Sequence, residues 1–216
     1  MAEIKCFMID PVHDTPLPHP KTLSYFRGFD GRVACPANPK LGYCHAEVDL
    51  VVDPSSEIER SYSWTPGDND PRWPRRCACG YEFTDKDYRV ASWKNFWKRT
   101  DTGEIIEMRN APPGAMWFAD WMVDGHLQYQ SDKDRRNRGP DGRCLVVRTP
   151  GGDWMIDGQC SNCDRKGDHE HKCWVRHGEA PNITVDKNGL TCGAGGGSIL
   201  KGSYHAMLQN GVLRDC

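Results

Sequence analysis

Residues 153–177 read DWMIDGQCSNCDRKGDHEHKCWVRH, and Cys160, Cys163, His169, His171 and Cys173 crowd into this one short segment. Thiolates and imidazoles are the side chains a tetrahedral zinc ion prefers, so both types packed around a Cys-x-x-Cys spacing read first as a metal site. Structural zinc sites usually draw ligands from two separate stretches of chain. Thr191-Cys192 lies beyond a turn and can return a further thiolate from a neighbouring strand. The stretch therefore organises this part of the chain around bound metal.

The rest of the composition agrees with that reading. A chain of 216 residues suffices for one large domain or two small ones. Its apolar fraction is only 38%, with 22 Gly, 15 Pro and a mean hydropathy of -0.72, which predicts short elements separated by many turns. Metal crosslinks would relieve the resulting shortage of core. A net charge of -2, from 28 basic and 30 acidic residues, excludes a global pull toward nucleic acid or an anionic membrane. No apolar run approaches the roughly 20 residues that span a bilayer. The start MAEIKCFMIDP lacks a basic region followed by an apolar one. A soluble protein made in a reducing compartment is expected. The 11 cysteines are an odd number, so zinc ligation is favoured over a disulfide framework.

Taken in order, Asp10 to Pro20 carries four prolines together with His13 and His19, and reads as an extended leader. After Cys35, a proline-broken loop and Cys44, the alternation of His45, Glu47 and Asp49 with Ala46, Val48 and Leu50 marks a strand with one buried face. Residues 61–76 form a loop whose tryptophans are expected to fold back on a core. Asp85 to Arg99 admits two readings. One is a helix capped by Thr84. The other is a hairpin in which Phe96 to Arg99 pairs with Glu104 to Met108, favoured for the second half. Ala111-Pro-Pro-Gly is the expected boundary between halves. Beyond it, AMWFADWMVDGHLQY is core, and Cys144 to Arg148 is a strand that turns at Thr149–Gly152 into Trp154–Ile156. Further hairpins are expected between Ile183–Val185 and Leu190–Cys192, and around the Asn210-Gly211 turn.

Two ligand sets emerge. The first is Cys35, Cys44, Cys77 and Cys79, with His45 as a substitute. Cys77-Ala-Cys79-Gly80-Tyr81 has the look of a zinc-ribbon knuckle, although both Cys-Cys gaps depart from the usual two-residue spacing. The second is Cys160, Cys163, His171, Cys173 and Cys192, one ligand more than a tetrahedron takes. Cys163, Cys173 and Cys192 are joined by either His171 or Cys160. A closed shell of this second kind leaves no position for water, so it argues for a structural role. Asp168, His169 and Glu170 read as a solvated face. His177 and His205 are the candidates for acid–base work or an open metal position, although a lone histidine in a β-rich domain is more often a hydrogen-bonding residue. Residues 193–199, GAGGGSI, lack the Gly-Lys-Ser/Thr ending of a phosphate loop and read as a tight backbone crossing. No Gly-x-Ser-x-Gly and no His-Glu-x-x-His occurs. Arg72, Arg75, Arg76, Lys94, Lys98, Arg99, Lys133, Arg135, Arg136 and Arg138, interleaved with Trp73, Trp93, Phe96 and Trp97, support nucleic-acid binding as an alternative. Asp68, Asp70, Asp132 and Asp134 dilute their field.

The order Asp70-Pro-Arg-Trp-Pro, Cys77-Ala-Cys-Gly-Tyr, Ala111-Pro-Pro-Gly-Ala-Met-Trp, Gly152-Asp-Trp-Met-Ile-Asp, Cys173-Trp-Val-Arg-His-Gly, Thr184-Val-Asp-Lys and Ala194-Gly-Gly-Gly-Ser-Ile covers most of the chain from about Asp70 onward. It resembles an uncharacterised family of small, zinc-binding-type proteins encoded by tailed bacteriophages and prophages. The resemblance implies a phage origin and synthesis in the host cytoplasm, and brings no established activity. Within it, Cys163, His171, Cys173 and Cys192 occupy matching motif positions and Cys160 does not, which favours His171 as the fourth ligand.

The combined expectation is a mainly β protein with few short helices, its antiparallel hairpins arranged in two zinc-stabilised halves. Residues 1–110 form a zinc-ribbon-like half, and residues 111–216 an antiparallel β half with the second site. About two Zn2+ ions per chain follow from two four-ligand sets. The expected function is a non-enzymatic phage structural or interaction protein, either a virion component or a binder of a host factor. The alternatives are a nucleic-acid-binding zinc protein and a metal-dependent enzyme using His177 or His205. The expected partners are phage or host proteins, with nucleic acid as the second choice and no membrane. The expected location is the host cytoplasm or the virion.

Overall fold

The fold is described from a computed structural model, over residues 3–12, 21–27, 34–53, 55–61, 64–122, 137–160, 163–168, 171–187, 192 and 198–216. Among these residues the chain is β-rich. Its first strands are β1 (Glu3–Lys5), β2 (Phe7–Pro11), β3 (Lys21–Phe26), β4 (His45–Leu50) and β5 (Tyr88–Trp93). Then come β6 (Phe96–Arg99), β7 (Ile105–Glu107), β8 (Ala115–Phe118), β9 (Leu145–Thr149) and β10 (Gly152–Met155). The last are β11 (Val175–His177), β12 (Thr184–Asp186), β13 (Ile199–Lys201), β14 (Tyr204–Gln209) and β15 (Val212–Asp215). The helices described are two single 3-10 turns, Met108–Asn110 and Asp120–Met122, and none is long and apolar enough to cross a membrane. The chain divides into two compact units, Val12–Phe96 and a second made of Met1–Pro11 with Trp97–Cys216.

The Val12–Phe96 unit is built on an antiparallel sheet in the order β4-β3-β5. Alternation along β3 sends Leu23 and Tyr25 into a core with Leu50, Val52, Trp73 and Phe83. Tyr25 stacks on Phe83 at 4.8 Å and meets the edge of Trp73 at 6.1 Å. Trp73 is anchored by donating its indole N–H to the Gly67 carbonyl at 3.0 Å, so the proline-rich loop does fold back on the core. Lys21 is also buried. Its ammonium donates to the carbonyls of Ser61 and Trp64 and lies 4.9 Å from the Trp93 ring, which replaces the water it has lost.

One expectation changes here, and one open reading is resolved. β4 is a strand, but along its alternating apolar face Leu50 is buried while Val48 stays 40% exposed, so the cover over that face does not extend to Val48. The first half of Asp85 to Arg99 is also strand. Thr84 and Asp87 do make cap-like bonds, the Thr84 amide donating to the Asp87 carboxylate at 2.8 Å. They close a turn instead of a helix because all six residues of β5 pair with β3. The favoured hairpin of β6 with β7 is present, the Gly103 amide donating to Arg99 O at 3.0 Å.

The second unit carries a six-stranded sheet, β10-β9-β8-β2-β6-β7, and a four-stranded one, β1-β15-β14-β13. Strands β2, β8 and β9 contain runs of consecutive buried residues because the larger sheet is covered on both faces. One face carries Met8, Met116, Leu145 and Val147, packed with Leu208, Leu213 and Ile199 of the smaller sheet and Val185 of β12. The other carries Phe7, Ile9, Trp97, Trp117 and Val146. Pairing is antiparallel except that β2 lies parallel to β8, with Phe7 opposite Ala115. This pairing is why the boundary expected at 110/111 falls inside the unit: Ala111–Gly114 leads directly into the strand beside β2, and the Phe7 amide donates to Gly114 O at 3.0 Å.

The hairpin of β14 with β15 turns at Asn210 and Gly211, with φ of 48° and 70°, the mirror-image turn that Asn-Gly favours. β12 pairs with β11, Arg176 opposite Val185. The expected partner strand at Leu190–Cys192 lies, apart from Cys192, outside the described residues, as do His13, His19 and Gly193–Gly197.

Candidate metal centres

Two groups of side chains converge. Cys35, Cys44, Cys77 and Cys79 place their ligand atoms within 4.8 Å of one another, and so do Cys163, His171, Cys173 and Cys192. These are the eight residues expected from spacing and resemblance. Both groups could hold a metal ion.

In the first group, Cys35 and Cys44 flank a loop that enters β4, and Cys77 and Cys79 flank a tight turn. That turn closes when the Gly80 amide donates to Cys77 O and the Cys77 amide to Tyr81 O, both at 2.9 Å. Gly80 has a φ of 94°, which a side chain would strain. The sulfurs of Cys35 and Cys77 are 3.6 Å apart, as are those of Cys44 and Cys79. A disulfide would need about 2.05 Å. Four thiolates about 2.3 Å from a tetrahedral ion would be spaced by about 3.8 Å, close to what is seen.

Asn38 was not singled out in the sequence. Its side-chain amide donates to Cys35 Sγ at 3.7 Å, to Cys77 Sγ at 3.5 Å and to the His45 carbonyl at 3.3 Å, tying two sulfurs to the start of β4. Only its position three residues after Cys35 could have suggested it. Asn38→Ala is expected to weaken metal binding by about 10- to 100-fold, read by competition with a coloured chelator. Binding unchanged by that substitution would assign Asn38 to the loop alone.

The pKa values of Cys35 and Cys44 in this group are displaced in opposite directions. Burial works to raise Cys35, but hydrogen bonds from the Cys77 thiol and the Ala37 backbone outweigh it and bring Cys35 to about 7. Burial pushes Cys44 up to about 12, with further upward contributions from Cys79 and Cys35. A bound dication would offset the repulsion that divides the protons so unequally.

In the second group, Cys163 and Cys173 are buried, His171 is buried, and Cys192 is half-buried. Backbone amides serve the sulfurs: Arg165 N donates to Cys163 Sγ at 3.3 Å and Cys160 N to Cys173 Sγ at 3.4 Å. His171 Nε2 lies 3.9 Å from Cys173 Sγ, and Lys187 Nζ lies 3.2 Å from Cys192 Sγ. The group takes His171 and leaves out Cys160, which contributes its backbone amide. Gln159 braces the loop by donating to the carbonyls of Asp168 at 2.7 Å and His171 at 2.9 Å.

The loop's two ends are joined by a buried ion pair in which Arg176 Nε donates to Asp157 Oδ1 at 3.1 Å. Arg176 reaches Asp141 at 2.7 Å as well, and Asp157 accepts from the Leu145 amide at 3.2 Å. Burial pushes the Asp157 carboxyl up to about 6 against the pull of Arg176, a cost borne to fix the loop ends.

The remaining candidates lie outside both groups. His45 stacks on Phe26 with 6.1 Å between ring centres. His177 is exposed and paired with Asp186 at 3.1 Å, and His205 is exposed beside Ser198 Oγ at 2.9 Å. Cys6 and Cys144 are buried thiols pushed up to about 12 by burial, behaving as small apolar groups. The basic residues are largely matched by acids: Arg72 with Asp70 and Glu59, Arg76 with Glu82, Lys94 with Asp49, and Arg99 with Asp101. Lys133, Arg135, Arg136, His169 and Glu170 lie outside the described residues.

No family model, curated protein or solved structure matches the chain. Its class is therefore defined by its own geometry, as a β-rich protein with two cysteine-rich groups able to hold metal ions.

Proposed function

We propose that the chain is a non-enzymatic, zinc-stabilised structural or interaction protein of a phage, made in the host cytoplasm, acting as a virion component or as a binder of a host factor. The observation that supports the reading is the convergence of two groups of four ligand atoms, each within 4.8 Å of one another. Each offers four side chains, enough to fill a tetrahedral shell and leave no place for substrate or activating water. Thiolate-rich shells of this kind select zinc over magnesium or calcium, which take oxygen ligands. The phage assignment rests on the resemblance of the ordered motifs from Asp70 onward.

The test has two parts. Elemental analysis of purified protein is expected to return about two zinc ions per chain, and a metal-free, folded protein would overturn the structural role. Mass spectrometry of purified particles and of proteins co-isolated from infected cells then places the chain in the virion or beside a host protein. Recovery in neither would remove both forms of the proposal.

A further inference from the structure

The four sulfurs of the first group are not equivalent. They lie in two pairs, Cys35 with Cys77 and Cys44 with Cys79, each 3.6 Å apart. Asn38 serves the first pair, donating to Cys35 Sγ at 3.7 Å and to Cys77 Sγ at 3.5 Å. Neither sulfur of the second pair takes an N–H donor among the described residues. Of the four residues only Cys79 is exposed. It precedes Gly80, where an added methyl group would meet no described atom within 4 Å, so the approach to this end of the group is open. The second group differs on each count. Cys163 and Cys173 are buried and accept from the Arg165 and Cys160 amides, and the half-buried Cys192 has the Lys187 ammonium 3.2 Å from its sulfur.

We propose that the Cys44–Cys79 pair makes the first centre a peroxide-sensitive switch, which expels its ion when the two sulfurs are joined. The inference rests on the reading of that group as a zinc centre. Oxidation of cysteine follows thiolate character and exposure, and a sensor cysteine stands beside a second thiol that resolves it. Zinc holds its cysteine ligands as thiolates. An N–H donor draws on the sulfur lone pairs and makes a thiolate a poorer nucleophile, so the bare, exposed Cys79 reacts first. Its sulfur attacks one oxygen of hydrogen peroxide. The O–O bond breaks, a sulfenic acid forms, and the hydroxide released takes a proton from solvent to become water. The Cys44 thiolate then attacks the sulfenic sulfur. An S–S bond forms, the S–O bond breaks, and a second hydroxide leaves and is protonated to water. Two electrons from the two sulfurs have reduced one peroxide to two waters. The sulfurs need only close from 3.6 Å to about 2.05 Å. The ion keeps two ligands of four and leaves. Because Cys44 belongs to the core of the Val12–Phe96 unit, the change reaches the packing of that unit.

The test adds hydrogen peroxide to the full chain, purified with its metal, and follows released zinc with a coloured chelator. About one of the roughly two ions is expected to leave. Mass spectrometry after alkylation is expected to find a Cys44–Cys79 disulfide, and dithiothreitol with added zinc to restore the metal content. Cys79→His keeps a zinc ligand and removes the reacting sulfur, so it should slow release by at least about tenfold. Cys216→Ser removes the other exposed thiol and should leave release unchanged. Zinc retained by the unmodified chain under peroxide, both ions leaving together, a disulfide between other cysteines, or release as fast in Cys79→His would overturn the switch and leave the zinc reading standing. Protein without zinc before peroxide is added would overturn both. Should Cys79→His bind no zinc, the disulfide map of the unmodified chain decides.

Discussion

Cys173→Ser is expected to lower the metal content by about one ion per chain and to melt the loop that begins at Gln159. Cys173 is fully buried, and its sulfur accepts the Cys160 amide while facing His171. A serine oxygen is shorter and harder, and does not replace a thiolate on zinc. The magnitude decides the outcome. A structural zinc ion contributes about 10–16 kcal/mol of apparent binding free energy, as much as the roughly 5–15 kcal/mol by which a whole domain is stable. The sheets of the same unit keep their own core around Met116, Leu145, Ile156 and Leu208, so the loss is confined to the loop. Limited proteolysis is therefore expected to cut the variant near the second group while β circular dichroism persists. Full metal content with unchanged protection would refute the assignment.

Cys77→Ser should have a wider effect. Cys35, Cys44 and Cys77 are themselves members of the core of the Val12–Phe96 unit, beside Leu23, Tyr25 and Trp73. Because three of the four ligands are built into that core, the unit's cooperative unfolding transition is expected to vanish with the metal. A chelator should do the same to the unmodified chain, and acid should assist it. Burial pushes Cys44 up to about 12, and Cys163 and Cys173 up to about 11, so in the metal-free state at neutral pH these thiols hold protons that an arriving ion must displace. Metal affinity accordingly rises with pH and falls on acidification. Release followed with a coloured chelator across pH checks the direction. A release independent of pH, or a unit that melts cooperatively without metal, would show that the thiols act only as core.

How much could be read beforehand differs from element to element. The Asn210-Gly211 hairpin, the β6–β7 hairpin and the strand at Leu145–Thr149 were legible because turn chemistry and apolar runs are local signals. The parallel pairing of β2 with β8 was not. A parallel ladder has no turn of its own to announce it, and its two strands are separated by the whole Val12–Phe96 unit. Val48 misled because alternation tells which residues share a face, whereas exposure depends on what covers that face. The pairing of Phe26 with His45 on one side and Tyr88 on the other was hidden for a related reason. Its members lie on three strands, and only their register makes them neighbours.

The amino-acid sequence by itself determined which side chains are available as soft ligands, and that so turn-rich a chain has reason to use them. Coordination chemistry is a property of residue type, and thiols and imidazoles are scarce enough to stand out. Only the tertiary structure decided how they are grouped, with His171 in the second cluster and Cys160 beside it. A tetrahedral cluster is a condition on distances, and distances between remote residues are set by the packing of the strands and loops that carry them.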